Sequence, residues 1–137
     1  MKLVIDEYKD AVAAIPGLFQ FNSNEQFTQS VLTLTEKELL FYDDNAPSDV
    51  SGETYHYVVK KRVNLDDVCF VINEKIIKNK ELVNLGRFNF ILEEEENCFE
   101  FYYFLNDKKE VQDFIKMMKR EGIKVKKRKI DLSLKKY

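Results

Sequence analysis

Apolar and polar positions alternate along several short stretches of the chain, the period-two signature of strands that are buried on one side. Leu18 to Phe21 reads as a first strand, and Asn22-Ser23-Asn24-Glu25 has the polar composition of a loop. Gln29–Thr35 and Leu39–Asp43 follow as clearer strands around Thr35-Glu36-Lys37-Glu38, short enough for an antiparallel hairpin turn. Residues 44–53 contain Pro47 and Gly52 and are expected as a loop, after which Tyr55–Val63 resumes as a strand and Asn64-Leu65-Asp66-Asp67 ends it. Val68–Ile72 has the character of a buried strand. Asn73–Lys80 carries too many charges for a core segment and is expected as a loop with its lysines in water. Leu82–Leu92 and Cys98–Leu105 flank the run Glu93-Glu94-Glu95-Glu96, which implies a hairpin with the carboxylates at its tip. Alternation puts Phe99, Phe101, Tyr103 and Leu105 on one face, and Cys98, Glu100, Tyr102 and Phe104 on the other.

Two segments change period. Tyr8, Ala11, Val12 and Ile15 recur at helical spacing before Pro16-Gly17, predicting a short helix over Asp6–Ile15. Val111, Phe114, Ile115 and Met118 form an i, i+3, i+4, i+7 stripe, predicting an amphipathic helix over 107–121 that covers an apolar surface. Asp107 with Glu110 has the spacing of a capping box, and Gly122 suits the left-handed position past the helix end. Beyond it, Ile123 and Val125 share one parity and Ile130, Leu132 and Leu134 the other, so a regular strand there needs a bulge or break near Lys127–Lys129. The pattern leaves open whether residues 123–137 add a strand, swap onto a second copy or stay mobile.

The elements together predict a mainly β fold: a bent sheet or partly open barrel of about seven antiparallel strands, capped by the C-terminal helix. A length of 137 residues suits a single domain, set at 1–122, with 123–137 as a basic C-terminal extension. The net charge of −2 hides an asymmetry: residues 1–115 hold 12 Lys and Arg against 22 Asp and Glu, whereas 116–137 hold 10 against 2. The N-terminal apolar stretch Leu3-Val4-Ile5 is too short for a signal peptide and no segment has the length of a spanning helix, which points to the cytoplasm. Cys69 and Cys98 lie in apolar runs without metal or redox spacing and are expected as buried free thiols.

The stretch Val31-Leu32-Thr33-Leu34-Thr35-Glu36-Lys37-Glu38-Leu39-Leu40-Phe41-Tyr42 resembles the LxLTxxxLxFY hairpin of bacterial pleckstrin-homology-like (PH-like) and GRAM-like domains. Val63-Asn64-Leu65-Asp66-Asp67-Val68 resembles their I-x-L-x-D-I segment, and Phe99-Glu100-Phe101 with the helix over 107–121 resembles their closing strand and helix. The resemblance covers residues 16–121. It implies a pleckstrin-like fold but no particular ligand, because such folds carry phosphoinositide sites, peptide sites or neither. Phosphoinositide-binding members cluster basic residues around the first loop; Phe21–Thr28 contains none, so inositol-phosphate recognition there is not expected.

Candidate chemistry is sparse. The sole histidine, His56, has no nucleophile motif around any Ser or Cys to serve. Gly17, Gly52, Gly86 and Gly122 are isolated, which excludes a phosphate-cradling glycine loop. The glutamate run lacks the alternating oxygen ligands and central glycine of a calcium loop. No catalytic, cofactor or metal site is therefore assigned, and no small-molecule substrate. The candidate anion or lipid contact is Lys116, Lys119, Arg120, Lys124, Lys126, Lys127, Arg128 and Lys129. A weaker anion site is His56, Lys60 and Arg62, which share one face if Tyr55–Arg62 is a regular strand. The expected function is that of a non-catalytic interaction domain, binding a protein partner or a second copy. Peripheral contact with an anionic membrane is the alternative, and nucleic acid ranks below both.

Overall fold

The computed structural model describes residues 2–5, 11–22, 24, 26–47, 54–77, 85–94 and 98–131, with backbone alone at 2–5, 44–47, 54–58, 77 and 130–131. Among the described residues are nine strands and one α-helix: β1 (Lys2–Ile5), β2 (Ala13–Phe19), β3 (Thr28–Leu34), β4 (Glu38–Pro47), β5 (Thr54–Asn64), β6 (Val68–Ile77), β7 (Leu85–Leu92), β8 (Phe99–Phe104), α1 (Lys108–Arg120) and β9 (Val125–Asp131). They form a single open sheet in the order β1-β5-β4-β3-β2-β8-β7-β6-β9. The pairings are antiparallel except at the two margins, where β1 lies parallel to β5 and β9 parallel to β6. The expected mainly β fold with a C-terminal helix is therefore observed, with two parallel marginal strands in addition to the antiparallel ones.

Aromatic packing shows how sharply the sheet bends. Phe41 on β4 and Phe90 on β7 have ring centroids 6.0 Å apart, yet four inter-strand spacings of about 4.8 Å would separate these strands in a flat sheet. The sheet folds over so that Phe19, Phe41, Phe88, Phe90 and Phe101 enclose one core, each at 2% exposure or less. Val111, Phe114 and Met118 of α1 close it, with Phe114 stacked on Phe88 at 5.9 Å. The alternation read in β8 holds: Phe101 and Tyr103 enter this core, while Tyr102 joins Leu18, Ile76, Leu85 and Phe104 on the opposite face.

Helix α1 starts and stops by different devices. Asp107 makes no side-chain capping bond, so the expected capping box is absent; a 3-10 turn over Leu105–Asp107 leads into the helix instead. At the other end Gly122 adopts φ 91°. The Gly122 N–H donates to Lys119 O and the Ile123 N–H to Met118 O, both at 3.0 Å, while Met118 and Ile123 are both buried. This is a Schellman stop, and it returns the chain toward the sheet.

Several expectations fail for identifiable reasons. The helix over Asp6–Ile15 does not form across Ala13–Ile15, which belong to β2; Val12 N–H already donates to Leu34 O at 2.8 Å, and residues 6–10 lie outside the described residues. Pro16 is tolerated because β8 pairs with β2 only at Gly17 and Leu18, leaving Pro16 outside the second ladder. Gly17 is not a helix stop: a Cβ there would meet Tyr102 O at 2.1 Å, so the glycine permits β2 and β8 to approach. Cys69 is exposed rather than buried, because the register shift between Val68 and Phe70 leaves it without a partner on β7; Cys98 is half-buried, and both thiols are free. Of the loop expected over residues 44–53, residues 44–47 are strand, since β4 runs to Pro47, and 48–53 lie outside the described residues. The bulge expected near Lys127–Lys129 is absent: β9 keeps continuous register with β6, Val125 packs on the core, and Ile130 lies opposite Ile76, a member of the apolar cluster on the other face.

The largest departure is in the loop expected over Asn73–Lys80: strand continues through Ile77, and residues 78–80 lie outside the described residues. Glu74 is fully buried, on the sheet face opposite the main core. Its Oε1 accepts from Arg87 Nε at 2.7 Å, and its Oε2 accepts from Arg128 Nε at 2.9 Å and from Arg128 Nη2. Arg87 also donates to Glu100 Oε2 at 2.8 Å and to the Tyr102 hydroxyl at 3.1 Å. Burial alone would lower the Arg87 pKa, but the bonds to Glu74 and Tyr102 and the charge of Glu100 hold it above its ordinary value. A buried carboxylate stripped of one partner is strongly destabilising, at about 3–5 kcal/mol. Arg87→Met is therefore expected to lower unfolding free energy in urea by about that amount, and Glu74→Met with Arg87→Met by clearly less.

Candidate functional site

The eight basic residues picked out near the C-terminus fall on separate surfaces. Lys116 and Arg120 line a cleft between α1 and β2 together with Glu110 and Asp113. Lys119 and Lys124 are exposed, the first on the last turn of α1 and the second just before β9. Lys126 and Arg128 alternate with Lys127 and Lys129 along β9 and take the other side of the sheet: Lys126 Nζ lies 4.1 Å from the Phe70 ring centroid and Arg128 is bound to Glu74. Lys127 and Lys129 turn toward α1.

The weaker cluster does not form a regular face. Phe41 pairs with Lys61 and Tyr42 with Val59, so Lys60 is the extra residue of a bulge, and the expected alternation through Arg62 is broken. Lys60 pairs with Asp43 at 2.8 Å and Arg62 with Glu38 at 2.9 Å, two different carboxylates of β4. The His56 side chain lies outside the described residues; its backbone pairs with Val4. Lys61, which lies 4.9 Å from the Phe99 ring centroid, lines a second cleft of about 730 Å³ with Arg62, Glu38 and Asp67, again a mixture of both signs.

A different composition marks the groove between α1 and the β6–β9 margin. Its volume is about 660 Å³. Val111, Ile115, Leu105 and the Tyr103 ring provide apolar surface, and Lys75, Lys108, Lys127 and Lys129 stand around it exposed, with Asn73, Gln112 and part of Arg128. Among the described residues no carboxylate is in the lining. The register of β6 with β9 places Lys127 beside Asn73 and Lys129 beside Lys75. Tyr103 reaches its position because Gly86 lies opposite it: a Cβ on Gly86 would come within 2.3 Å of the ring. The Tyr103 hydroxyl donates to Asn73 Oδ1. Sequence reasoning found Lys127 and Lys129 by charge density but missed Lys75, read as loop, and Lys108, which is distant along the chain. The signal for Lys75 was present, since β-branched Ile72, Ile76 and Ile77 bracket it.

No protein-family model matches the chain, and no curated protein matches it. Among solved structures, the chain is similar to the DH/PH domain of human ARHGEF11 in a ternary complex of human RhoA and its inhibitor, with TM-score 0.51 and 11% identity over 82% of this chain and 28% of that one. It is also similar to the DH/PH domains of PDZ-RhoGEF in complex with RhoA activated by GTP-gamma-S, with TM-score 0.48 and 8% identity over 81% of this chain and 29% of that one. The chain spans less than a third of either. The fold is PH-like. Among the described residues no helix is long and apolar enough to cross a membrane.

Burial raises the Tyr103 pKa to about 12, partly offset by its bond to Asn73. The folded state therefore holds the tyrosine proton where the unfolded chain releases it, so this contribution is intact below about pH 10 and is lost as pH rises toward 12. Stability measured by urea unfolding is expected to fall more steeply between pH 10 and 11.5 in the parent than in Tyr103→Phe. Equal slopes would show that Tyr103 is not the group responsible.

Proposed function

We propose that this chain is a non-catalytic PH-like interaction domain whose binding surface is the groove between α1 and the β6–β9 margin. The observation that carries the reading is the juxtaposition of an apolar floor with lysines that have no carboxylate among the described residues lining the groove. Apolar concavities with a few convergent polar groups are where proteins seat ligands, and a groove beside an amphipathic helix is a familiar setting for a protein segment. Cytoplasmic location belongs to the same proposal, as does the bacterial, GRAM-like affiliation, which the hairpin motif over residues 31–42 supports. The solved PH-like relative comes from a complex that contains RhoA; for the present chain no particular partner follows from that.

A protein partner or a second copy is favoured over a membrane surface by the distribution of charge. Flat anionic bilayers attract basic residues that share one exposed plane. Here Lys116 and Arg120 sit beside Glu110 and Asp113, Arg128 is spent on Glu74, and Lys127 and Lys129 line a concavity.

Site-specific photo-crosslinking tests the reading. With a benzophenone amino acid at Gln112, in the groove, the full chain is expected to give a discrete adduct in cells, and the same group at exposed Lys109 is expected to give none. Equal labelling from both positions, or no adduct from Gln112, would remove the groove as the binding surface.

A further inference from the structure

We propose that the groove takes a linear acidic segment of a partner protein that carries one or two apolar anchor residues. This rests on the interaction-domain reading of the same groove and adds the chemistry of its ligand.

The first argument is local charge balance. In the chain as a whole, 22 basic residues face 24 acidic ones. Two other clefts keep that balance in miniature, one with Lys61 and Arg62 beside Glu38 and Asp67, the other with Lys116 and Arg120 beside Glu110 and Asp113. The groove has Lys75, Lys108, Lys127, Arg128 and Lys129 and, among the described residues that line it, no acid. Arg128 is bound to Glu74 on the far side of the sheet, which leaves Lys75, Lys108, Lys127 and Lys129 around the apolar floor.

Register supplies the second argument. Lys75 and Lys129 are direct neighbours on paired strands, and like charges placed opposite one another cost stability. Both lysines line the groove, and such local conflicts are expected where a site is built for binding. The third argument is the floor itself. Val111 is buried and Ile115 half-buried, whereas Leu105 at 36% exposure is one of the large hydrophobic residues most open to water. Phosphates alone would leave this apolar surface wet. Carboxylates alternating with an aliphatic or aromatic anchor satisfy both halves of the groove, and a volume of about 660 Å³ accommodates a few side chains rather than a folded domain.

The test is selection of a random twelve-residue phage-displayed library on the full chain, followed by fluorescence anisotropy with the recovered peptides. The recovered pool is expected to be rich in Asp and Glu with at least one Leu, Ile, Phe or Trp. Lys127→Glu with Lys129→Glu is expected to weaken those peptides by about tenfold or more, since like charge across an interface rejects a ligand strongly. Lys129→Glu alone is expected to weaken binding while raising the melting temperature, because it relieves Lys75; a lysine with a merely structural role would show neither effect. A pool without acidic bias, or unchanged affinity in the double variant, overturns the proposal. So does displacement of bound peptide by phosphatidylserine vesicles but not by phosphatidylcholine ones, which would make lipid the occupant. Self-association abolished by the double variant would make it a second copy. A crosslinked partner at Gln112 combined with a non-acidic pool discards this ligand chemistry and leaves the interaction-domain reading standing.

Discussion

A carboxylate with no access to water, Glu74, imposes the strongest single demand on this fold. Its charge has to be met inside the sheet, and the two groups that meet it come from different neighbours, Arg87 on β7 and Arg128 on β9. Strand β6 is thereby fixed on both sides at once. Arg87 extends the tie to β8 through Glu100 and Tyr102, so four strands share one polar ladder on the face opposite the aromatic core. With Arg128 committed to that face, alternation turns Lys127 and Lys129 toward α1. The groove is thus a geometric corollary of where Glu74 puts its charge.

The two faces of β9 accordingly have different energetic characters. On one, Lys126 lies over Phe70 and Arg128 is paired, so positive charge is absorbed by a ring and a carboxylate. On the other, positive charge accumulates beside Ile115 and Val111. The Schellman stop at Gly122 matters to both, since it buries Ile123 under the helix and redirects the chain into register with Val71.

Much of the architecture was legible because it rests on periodicity. The hairpin around residues 35–38, the alternation of Phe99 to Phe104 and the stripe Val111, Phe114, Met118 each express a buried face, and each is found in place. The failures share a cause: local composition was overruled by contacts from far along the chain. Ala13 to Ile15 read as helix from the spacing of Tyr8, Ala11, Val12 and Ile15 ahead of Pro16-Gly17, whereas Gly17 leaves room for the Tyr102 carbonyl of β8. Asn73 to Ile77 read as loop because a charge seemed incompatible with burial, and the arginine that completes its pairing lies 54 residues away. Half of the groove's lysines were visible as a basic run; Lys75 and Lys108 became members only once β6 and α1 were brought together.

That same separation constrains the order in which the molecule can be made. During synthesis β6 and β7 emerge together, and Glu74 meets Arg87 after 13 residues. It then waits through β8 and all of α1 for Arg128. Parallel pairing of β9 with β6 is a contact of high sequence separation, slow to form and unable to reward the chain until its loop has closed. Until β9 pairs, one sheet margin stays open and Glu74 has Arg87 but not Arg128 to answer its charge. The groove between α1 and β9 is complete only once that margin closes, so the binding proposed for it requires a finished fold.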